Sequence, residues 1–182
     1  GDYDNDGNLD VFFTTVYGTA SFGRKNNPVL FRSDGKFKVT NVSAKAGVAG
    51  LPPTYQSAWA DYNQDGALDL ISGGKLFRNS PSDKKWLELR LEGDGVAVNR
   101  SAIGAQARIT VGDRTYTRQV EAGTGEGNQN QLQLHFGLGD TTGPVDIQIS
   151  WPGSLPAGKR IQAIKGLEIN KIHHFRYGGA QP

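Results

Sequence analysis

Two short aspartate-rich segments of the sequence follow the same residue pattern. The first runs from Asp2 to Asp10 and the second from Asp61 to Asp69. In each, oxygen-bearing side chains recur at positions 1, 3, 5 and 9, and a glycine at position 6 permits a sharp turn. Calcium is a hard cation that takes six to eight oxygen ligands, and a loop can supply them from alternate residues. The spacing therefore predicts a calcium site in each loop.

The two loops differ in their content of charged ligands. In the first loop the predicted ligands are Asp2, Asp4, Asp6 and Asp10, with the backbone carbonyl of Asn8. In the second loop they are Asp61, Asn63, Asp65 and Asp69, with the carbonyl of Ala67. Crowded carboxylates repel one another without a cation, and the second loop has one fewer. We therefore expect the first site to bind calcium more tightly.

Three other interpretations of the aspartate-rich loops are an EF-hand or dockerin-type site, a pair of glycosidase carboxylates and a solvated acidic turn. An EF-hand or dockerin-type loop needs an acidic ligand at position 12, where this chain has Phe13 and Ser72, and it continues into a helix. Glycosidase carboxylates lie about 5–9.5 Å apart across a sugar, usually on different elements, whereas these aspartates share one tight loop. The remaining alternative is a solvated acidic turn, in which Asp and Asn only form the turn.

The segments around the loops have the pattern of short strands and turns. Val29 to Arg32 and Phe37 to Val42 are predicted to form a hairpin around Asp34-Gly35. Ser57 to Ala60 is predicted as the strand that leads into the second loop, and Ala44 to Val48 as a single helical turn. Leu30-Phe31-Arg32-Ser33 is echoed by Leu76-Phe77-Arg78-Asn79. Self-similarity over this length is typical of a propeller or another repeat array.

The second half of the chain has a different character. A polar segment at Asn79 to Ser82 is the predicted linker. Leucines then alternate strictly between Trp86 and Leu91, as in a half-buried strand. Further strand-like runs follow at Ala107 to Val111, Tyr116 to Val120, Leu132 to Leu138 and Val145 to Trp151. We expect two domains, residues 1–80 and residues 86–177.

The other residues that could take part in catalysis or ligand binding are predicted to have structural roles. His135 alternates with apolar neighbours, which predicts an outward-facing residue or a structural hydrogen-bond partner. His173 and His174 are adjacent and would point to opposite faces of a strand, so a shared metal is not expected. The Gly123 to Gly127 segment lacks the lysine of a phosphate loop. Core burial is favoured over sugar stacking for the three tryptophans, Trp59, Trp86 and Trp151.

Composition narrows the class of protein. The 182 residues include no cysteine, which excludes a disulfide framework and a zinc–thiolate site. The formal net charge is +2 and the basic residues are dispersed, so we do not expect a nucleic-acid partner. No apolar run approaches the length of about 20 residues that spans a bilayer. The chain opens inside the first motif and lacks methionine, so we expect a C-terminal fragment of a longer protein.

The first half resembles the FG-GAP/VCBS repeat family. The residues that carry this resemblance are Gly1 to Phe13, Leu30 to Phe37, Val42 to Val48 and Ser57 to Ile71. The second half resembles the ASPIC/UnbV domain, which follows such repeats in exported proteins. Its matching residues are Asn99 to Ala105, Gly123-Thr124-Gly125, His135 to Gly139 and Trp151-Pro152. After Gly125 the chain departs from the family's aromatic and apolar pattern, which leaves any contact made there without support.

The resemblance implies an all-β fold. We expect about two blades of a β-propeller followed by a small antiparallel β-sandwich-like domain, with calcium (Ca2+) in the blade loops. The function expected is that of a secreted, periplasmic or cell-surface adhesion module that binds a protein or a glycan and has no catalytic activity. The alternative is an accessory part of a carbohydrate-active or lyase-type propeller enzyme. A third interpretation is a purely structural accessory domain.

Overall fold

The computed structural model describes residues 1–19, 21–156 and 158–179. These residues contain thirteen β-strands, one 3₁₀ turn at Ser21–Gly23 and no α-helix. The strands form three three-stranded sheets and one four-stranded sheet, none of which closes into a barrel. The predicted all-β fold is confirmed, with open blade-like sheets followed by a sandwich of two sheets.

The chain divides into two compact units that are not simple halves of the sequence. The first unit comprises Gly1–Tyr3, Asn8–Pro81 and Gly123–Asn130. The second comprises Asp4–Gly7, Ser82–Ala122 and Gln131–Pro182. A short segment from the second half of the sequence thus packs with the first unit. The boundaries at residues 80 and 86 stay a prediction.

The first unit contains two three-stranded antiparallel sheets. One consists of β1 (Val11–Phe13), β2 (Val29–Ser33) and β3 (Val39–Asn41), in that order. The other consists of β4 (Ser57–Ala60), β5 (Asp69–Ser72) and β6 (Lys75–Phe77). The hairpin predicted around Asp34-Gly35 is confirmed, since β2 and β3 pair through Phe31 and Asn41.

A small apolar core supports these sheets. Leu30, Val48, Leu51 and Leu70 are buried, and Trp59 and Phe77 pack against them half-buried. Val48 enters this core from the predicted helical turn, in which the Ala46 amide donates to the Val42 carbonyl at 2.9 Å. Gly47 ends the turn with φ of 72°, a left-handed conformation that glycine adopts without strain.

The second unit is a sandwich of two sheets with one parallel pairing. Its strands are β7 (Lys85–Glu92), β8 (Gln106–Val111), β9 (Arg114–Gln119), β10 (Leu134–Gly139), β11 (Val145–Ser150), β12 (Ile161–Leu167) and β13 (Ile172–Arg176). The sheet orders are β10-β7-β13 and β12-β11-β8-β9. β13 pairs parallel with β7, whereas the other pairings are antiparallel. The expectation of a purely antiparallel domain was therefore incomplete.

A large apolar core fills this sandwich. Leu87, Leu89, Phe136 and Ile149 are fully buried between the two sheets, as the alternation of leucines in β7 predicted. Trp151 is 1% exposed, and its indole N–H donates to Gln162 Oε1 at 3.0 Å. Trp151 is thus a core residue whose polar edge is satisfied.

Candidate metal centre

The two aspartate-rich loops share one backbone conformation. The residues at position 4, Asn5 and Gln64, have positive φ of 57° and 59°. The glycines at position 6, Gly7 and Gly66, have φ of 88° and 84°. Left-handed residues at two alternating positions bend the chain tightly, which turns successive side chains and carbonyls toward one point. The sequence repeat is therefore also a repeat of local structure.

The first loop brings three carboxylates together. One oxygen from each of Asp2, Asp4 and Asp10 lies within 4.8 Å of the others, and Asp2 and Asp10 are buried. Asp6 belongs to the same turn but is not one of these three carboxylates. Three negative charges at this separation repel one another, and a bound cation would offset that repulsion.

The second loop offsets part of its charge with hydrogen bonds and an ion pair. Asp61 is buried, and its carboxylate accepts the backbone N–H of Gly66 at 2.7 Å and of Asp65 at 3.1 Å. Burial raises the pKa of Asp61, and the charge of Asp65 acts in the same direction while these N–H donors oppose it. Asp65 in turn accepts the amide N–H of Asn63 at 2.7 Å and forms an ion pair with Arg78 at 3.5 Å.

The environment of the Asn63 side-chain oxygen indicates whether this loop can hold a cation. Asn63 Oδ1 is buried and accepts no hydrogen bond within the described part of the chain. A buried acceptor without a partner costs about 1–3 kcal/mol. Calcium prefers such hard oxygen donors, together with carboxylates and backbone carbonyls. The donor set of the loop, with the spare amide oxygen of Asn63, therefore fits calcium.

The aspartates at position 9 connect each loop to a residue at or just beyond the end of a later strand. Asp10 accepts the backbone N–H of Tyr3 at 3.2 Å through one oxygen and that of Ser33 at 2.8 Å through the other. Asp69 repeats this arrangement in the second sheet.

The second copy uses equivalent residues. Asp69 accepts the N–H of Tyr62 at 3.2 Å and that of Asn79 at 2.7 Å. Sequence reasoning missed Ser33 and Asn79 as parts of the site. The echo of Leu30–Ser33 in Leu76–Asn79 held the signal, because it ends on these two residues.

The histidines lie in the second unit. His135 is 6% exposed and pairs across the sheet with Glu88, which is fully buried. Of the two predictions for His135, the burial contradicts an outward-facing residue and leaves a structural hydrogen-bond partner as the prediction. His173 Nε2 lies 2.8 Å from the Glu168 carbonyl, and His174 occupies the next position of β13.

Comparisons with known proteins agree with these features. Residues 2–72 match the FG-GAP-like repeat family, and residues 95–182 match the ASPIC and UnbV family. The first part of the chain is thus similar to FG-GAP-like repeats, and the part that follows is similar to the ASPIC and UnbV family. The resemblance drawn from the sequence is confirmed.

Curated relatives cover both regions. The chain is 25% identical over 192 residues to cartilage acidic protein 1 of Mus musculus, with 97% of this chain and 28% of that protein covered. It is 24% identical over 191 residues to cartilage acidic protein 1 of Homo sapiens, with 97% and 27% covered. The chain thus spans about a quarter of the length of the curated relatives it matches. Separately, the described residues include no helix long and apolar enough to cross a membrane.

Proposed function

We propose that this chain is a calcium-binding, extracytoplasmic interaction and adhesion module that has no catalytic activity of its own. The observation that carries the proposal is the repeated loop, which has one backbone conformation and one spacing of oxygen donors in two places, with three carboxylates converging in the first. Two independent copies of one donor arrangement are expected of a binding repeat. FG-GAP-like repeats and an ASPIC/UnbV domain support an extracellular interaction role.

The proposed ligands are those expected from the sequence. Asp2, Asp4 and Asp10 form the core of the first site, with Asp6 and the Asn8 carbonyl completing it. In the second site Asp61, Asn63, Asp65 and Asp69 supply side-chain oxygens and Ala67 its carbonyl. When bound, calcium supplies positive charge that offsets the repulsion between carboxylates. It thereby fixes the loops that connect the strands and rigidifies the surface offered to a protein or glycan partner.

Calorimetry with the full-length protein tests the metal part of the proposal. We expect saturable calcium binding with a Kd of the order of 10⁻⁴–10⁻³ M, the range of extracellular modules. Calcium should also raise the melting temperature, since a ligand that binds only the native state stabilises it. Magnesium at the same concentration is the control, because its smaller octahedral shell suits a loop of this kind less well. A calorimetric trace without calcium-dependent heat would reject the proposal.

A glycan and protein array tests the interaction part. The full-length protein is applied with calcium and, in parallel, with a chelator. Calcium-dependent capture without turnover of the captured molecule is the expected result. Release of product from a captured polysaccharide would reject the adhesion role in favour of an enzyme.

A further inference from the structure

The first unit contains a cavity of about 310 Å³ between its two sheets. This volume lies at the lower end of the range of about 300–1,000 Å³ that is typical of small-molecule sites. The residues that line it come from both calcium loops and from the strands beside them. The cavity therefore adjoins the proposed metal sites, and its wall also contains Trp59 and Lys45, which are not proposed metal ligands.

Aromatic and apolar side chains form much of the cavity wall. Trp59, Tyr3 and Phe77 all line it, and each is half-buried, so part of each side chain is accessible. Trp59 is held on one side by Phe12 in an edge-to-face contact, with ring centroids 6.4 Å apart. A fixed aromatic side chain at the wall of a cavity favours a ligand with a flat or ring-shaped apolar face.

Cations lie at the same cavity. Lys45 and Arg78 both line it, and both are exposed. Arg78 is engaged by Asp65, whereas Lys45 forms no hydrogen bond or ion pair with any residue that the structure describes. An unpaired ammonium group next to an apolar wall provides a site for an anionic group, most simply a carboxylate.

Residues of the cavity wall also form hydrogen bonds and an ion pair with the proposed calcium ligands. The Tyr3 amide donates to Asp10, Arg78 pairs with Asp65, and the Asn79 amide donates to Asp69. The side chain of Asn79 links the loops directly, since its Nδ2 donates to the Tyr3 carbonyl at 2.6 Å and to the Leu68 carbonyl at 3.2 Å. Ordering of the loops therefore orders the cavity wall.

We infer that this cavity binds an acidic sugar, with the ring against Trp59 and the carboxylate at Lys45, and that calcium promotes this binding. The inference deepens the proposed function and rests on it, because it assigns a ligand class to the interaction module. A sugar fits better than a purely apolar acid because the exposed Ser80 adds a hydroxyl group to the wall. Since coupling between two sites is reciprocal, the acidic sugar also tightens calcium binding.

The test uses the full-length protein with glucuronate as the probe, followed by tryptophan fluorescence and calorimetry. Glucose and benzoate serve as matched ligands that lack the carboxylate and the sugar hydroxyls, respectively. We expect saturable binding of glucuronate, little binding of glucose or benzoate, and a loss of glucuronate affinity in chelator. Equal affinity for glucose would overturn the role of the carboxylate. Binding of benzoate without glucuronate would overturn the sugar assignment.

Variants locate the site. Lys45→Ala should weaken glucuronate binding by about ten- to hundredfold, the equivalent of one lost charge-assisted hydrogen bond. Lys75→Ala is the matched control. Lys75 is exposed on β6, in the same sheet as Trp59, and does not line the cavity. Both lysines are exposed, so folding should be unaffected, and melting temperatures verify this. Equal glucuronate affinity in the two variants would overturn the inference.

Calcium calorimetry on the same samples distinguishes a failure of the sugar-site inference from a failure of the proposed calcium binding. Calcium heat without glucuronate binding rejects the cavity as a sugar site and leaves the metal proposal standing. Absence of calcium heat rejects the proposed function itself. Glucuronate binding that is unchanged by calcium rejects the coupling between the loops and the cavity wall.

Discussion

The two aspartate-rich loops are alike in backbone conformation and unlike in their number of carboxylates. In the first, oxygens of Asp2, Asp4 and Asp10 converge within 4.8 Å of one another. In the second, an asparagine takes position 3 and donates to Asp65, which is also paired with Arg78. The second loop therefore has one carboxylate fewer than the first, and a neighbouring arginine offsets part of the charge that it keeps. A calcium ion would have more negative charge to offset in the first loop than in the second.

The largest expected effect concerns what the loops share, the aspartate at position 9. Asp69→Ala removes a buried carboxylate and leaves the N–H groups of Tyr62 and Asn79 without their acceptor. We expect the free energy of unfolding to fall by about 2–4 kcal/mol even in chelator. Urea denaturation measures this, and Asp10→Ala should show a loss of similar size. Asp113→Ala, at an exposed turn, is the control. An unchanged stability of Asp69→Ala in chelator would show that this carboxylate acts only through the ion.

The second-largest effect is expected from a substitution that gives the second loop the carboxylate that the first loop has at position 3. Asn63→Asp adds a carboxylate at position 3 and removes the amide that donates to Asp65. We expect calcium affinity at this loop to rise by about tenfold and the calcium-free protein to lose about 1 kcal/mol of stability. Calorimetry and melting curves with and without calcium measure the two changes.

A matched charge change controls for the conversion. Gln64→Glu adds the same charge at the neighbouring exposed position, which faces away from the predicted ligand set. It should change calcium affinity far less than Asn63→Asp. The reciprocal variant Asp4→Asn should weaken the first site. Equal affinities for Asn63→Asp and Gln64→Glu would contradict the assignment of position 3 as a ligand.

A smaller effect is a dependence on pH through Asp61. Burial raises the pKa of this carboxyl above its ordinary value near 3.8, so the folded state holds the proton more tightly than the unfolded chain does. As the pH rises from about 3.8 through the raised pKa, this group therefore lowers the free energy of unfolding, and the loss is complete above it. In chelator, Asp61→Asn should show a shallower fall of stability over this window. Superimposable pH profiles in urea denaturation would disprove the effect.

The smallest expected effect is that of the ion pair between Arg78 and Asp65. The guanidinium is 63% exposed and lies 3.5 Å from the carboxylate, so solvent screens most of the attraction. Arg78→Met should change stability by no more than about 0.5 kcal/mol. It should slightly raise calcium affinity at the second loop, because a nearby positive charge is removed. A stability loss larger than 1 kcal/mol by urea denaturation would mean that the arginine stem packs more firmly than its exposure indicates.

Local patterns were the part of this molecule that the sequence could predict. The hairpin at Asp34-Gly35, the turn that ends at Gly47 and the leucine alternation of β7 each depend on neighbouring residues. The repeated loops could be recognised for the same reason, because every predicted ligand lies within nine residues of the others. Short-range steric and hydrogen-bonding preferences are enough to specify such features.

Long-range pairings were the part that the sequence could not predict. The parallel pairing of β13 with β7 joins strands about eighty residues apart, and no residue type encodes it. The burial of His135 follows from what covers its strand and not from its own neighbours. Likewise, the use of Asp10 and Asp69 as acceptors for Ser33 and Asn79 depends on the arrangement of the sheets.

The segment Gly123–Asn130 has a consequence for how the two regions can evolve. It lies in the sequence of the ASPIC/UnbV match but packs within the first unit, where Asn130 Oδ1 accepts the N–H of Trp59 at 2.9 Å. A gene rearrangement that cut the chain after residue 81 would strand this segment and remove an acceptor from the edge of β4. The repeats cut at residue 81 would thus lack part of their own compact unit, so the end of the FG-GAP-like match does not mark the end of that unit.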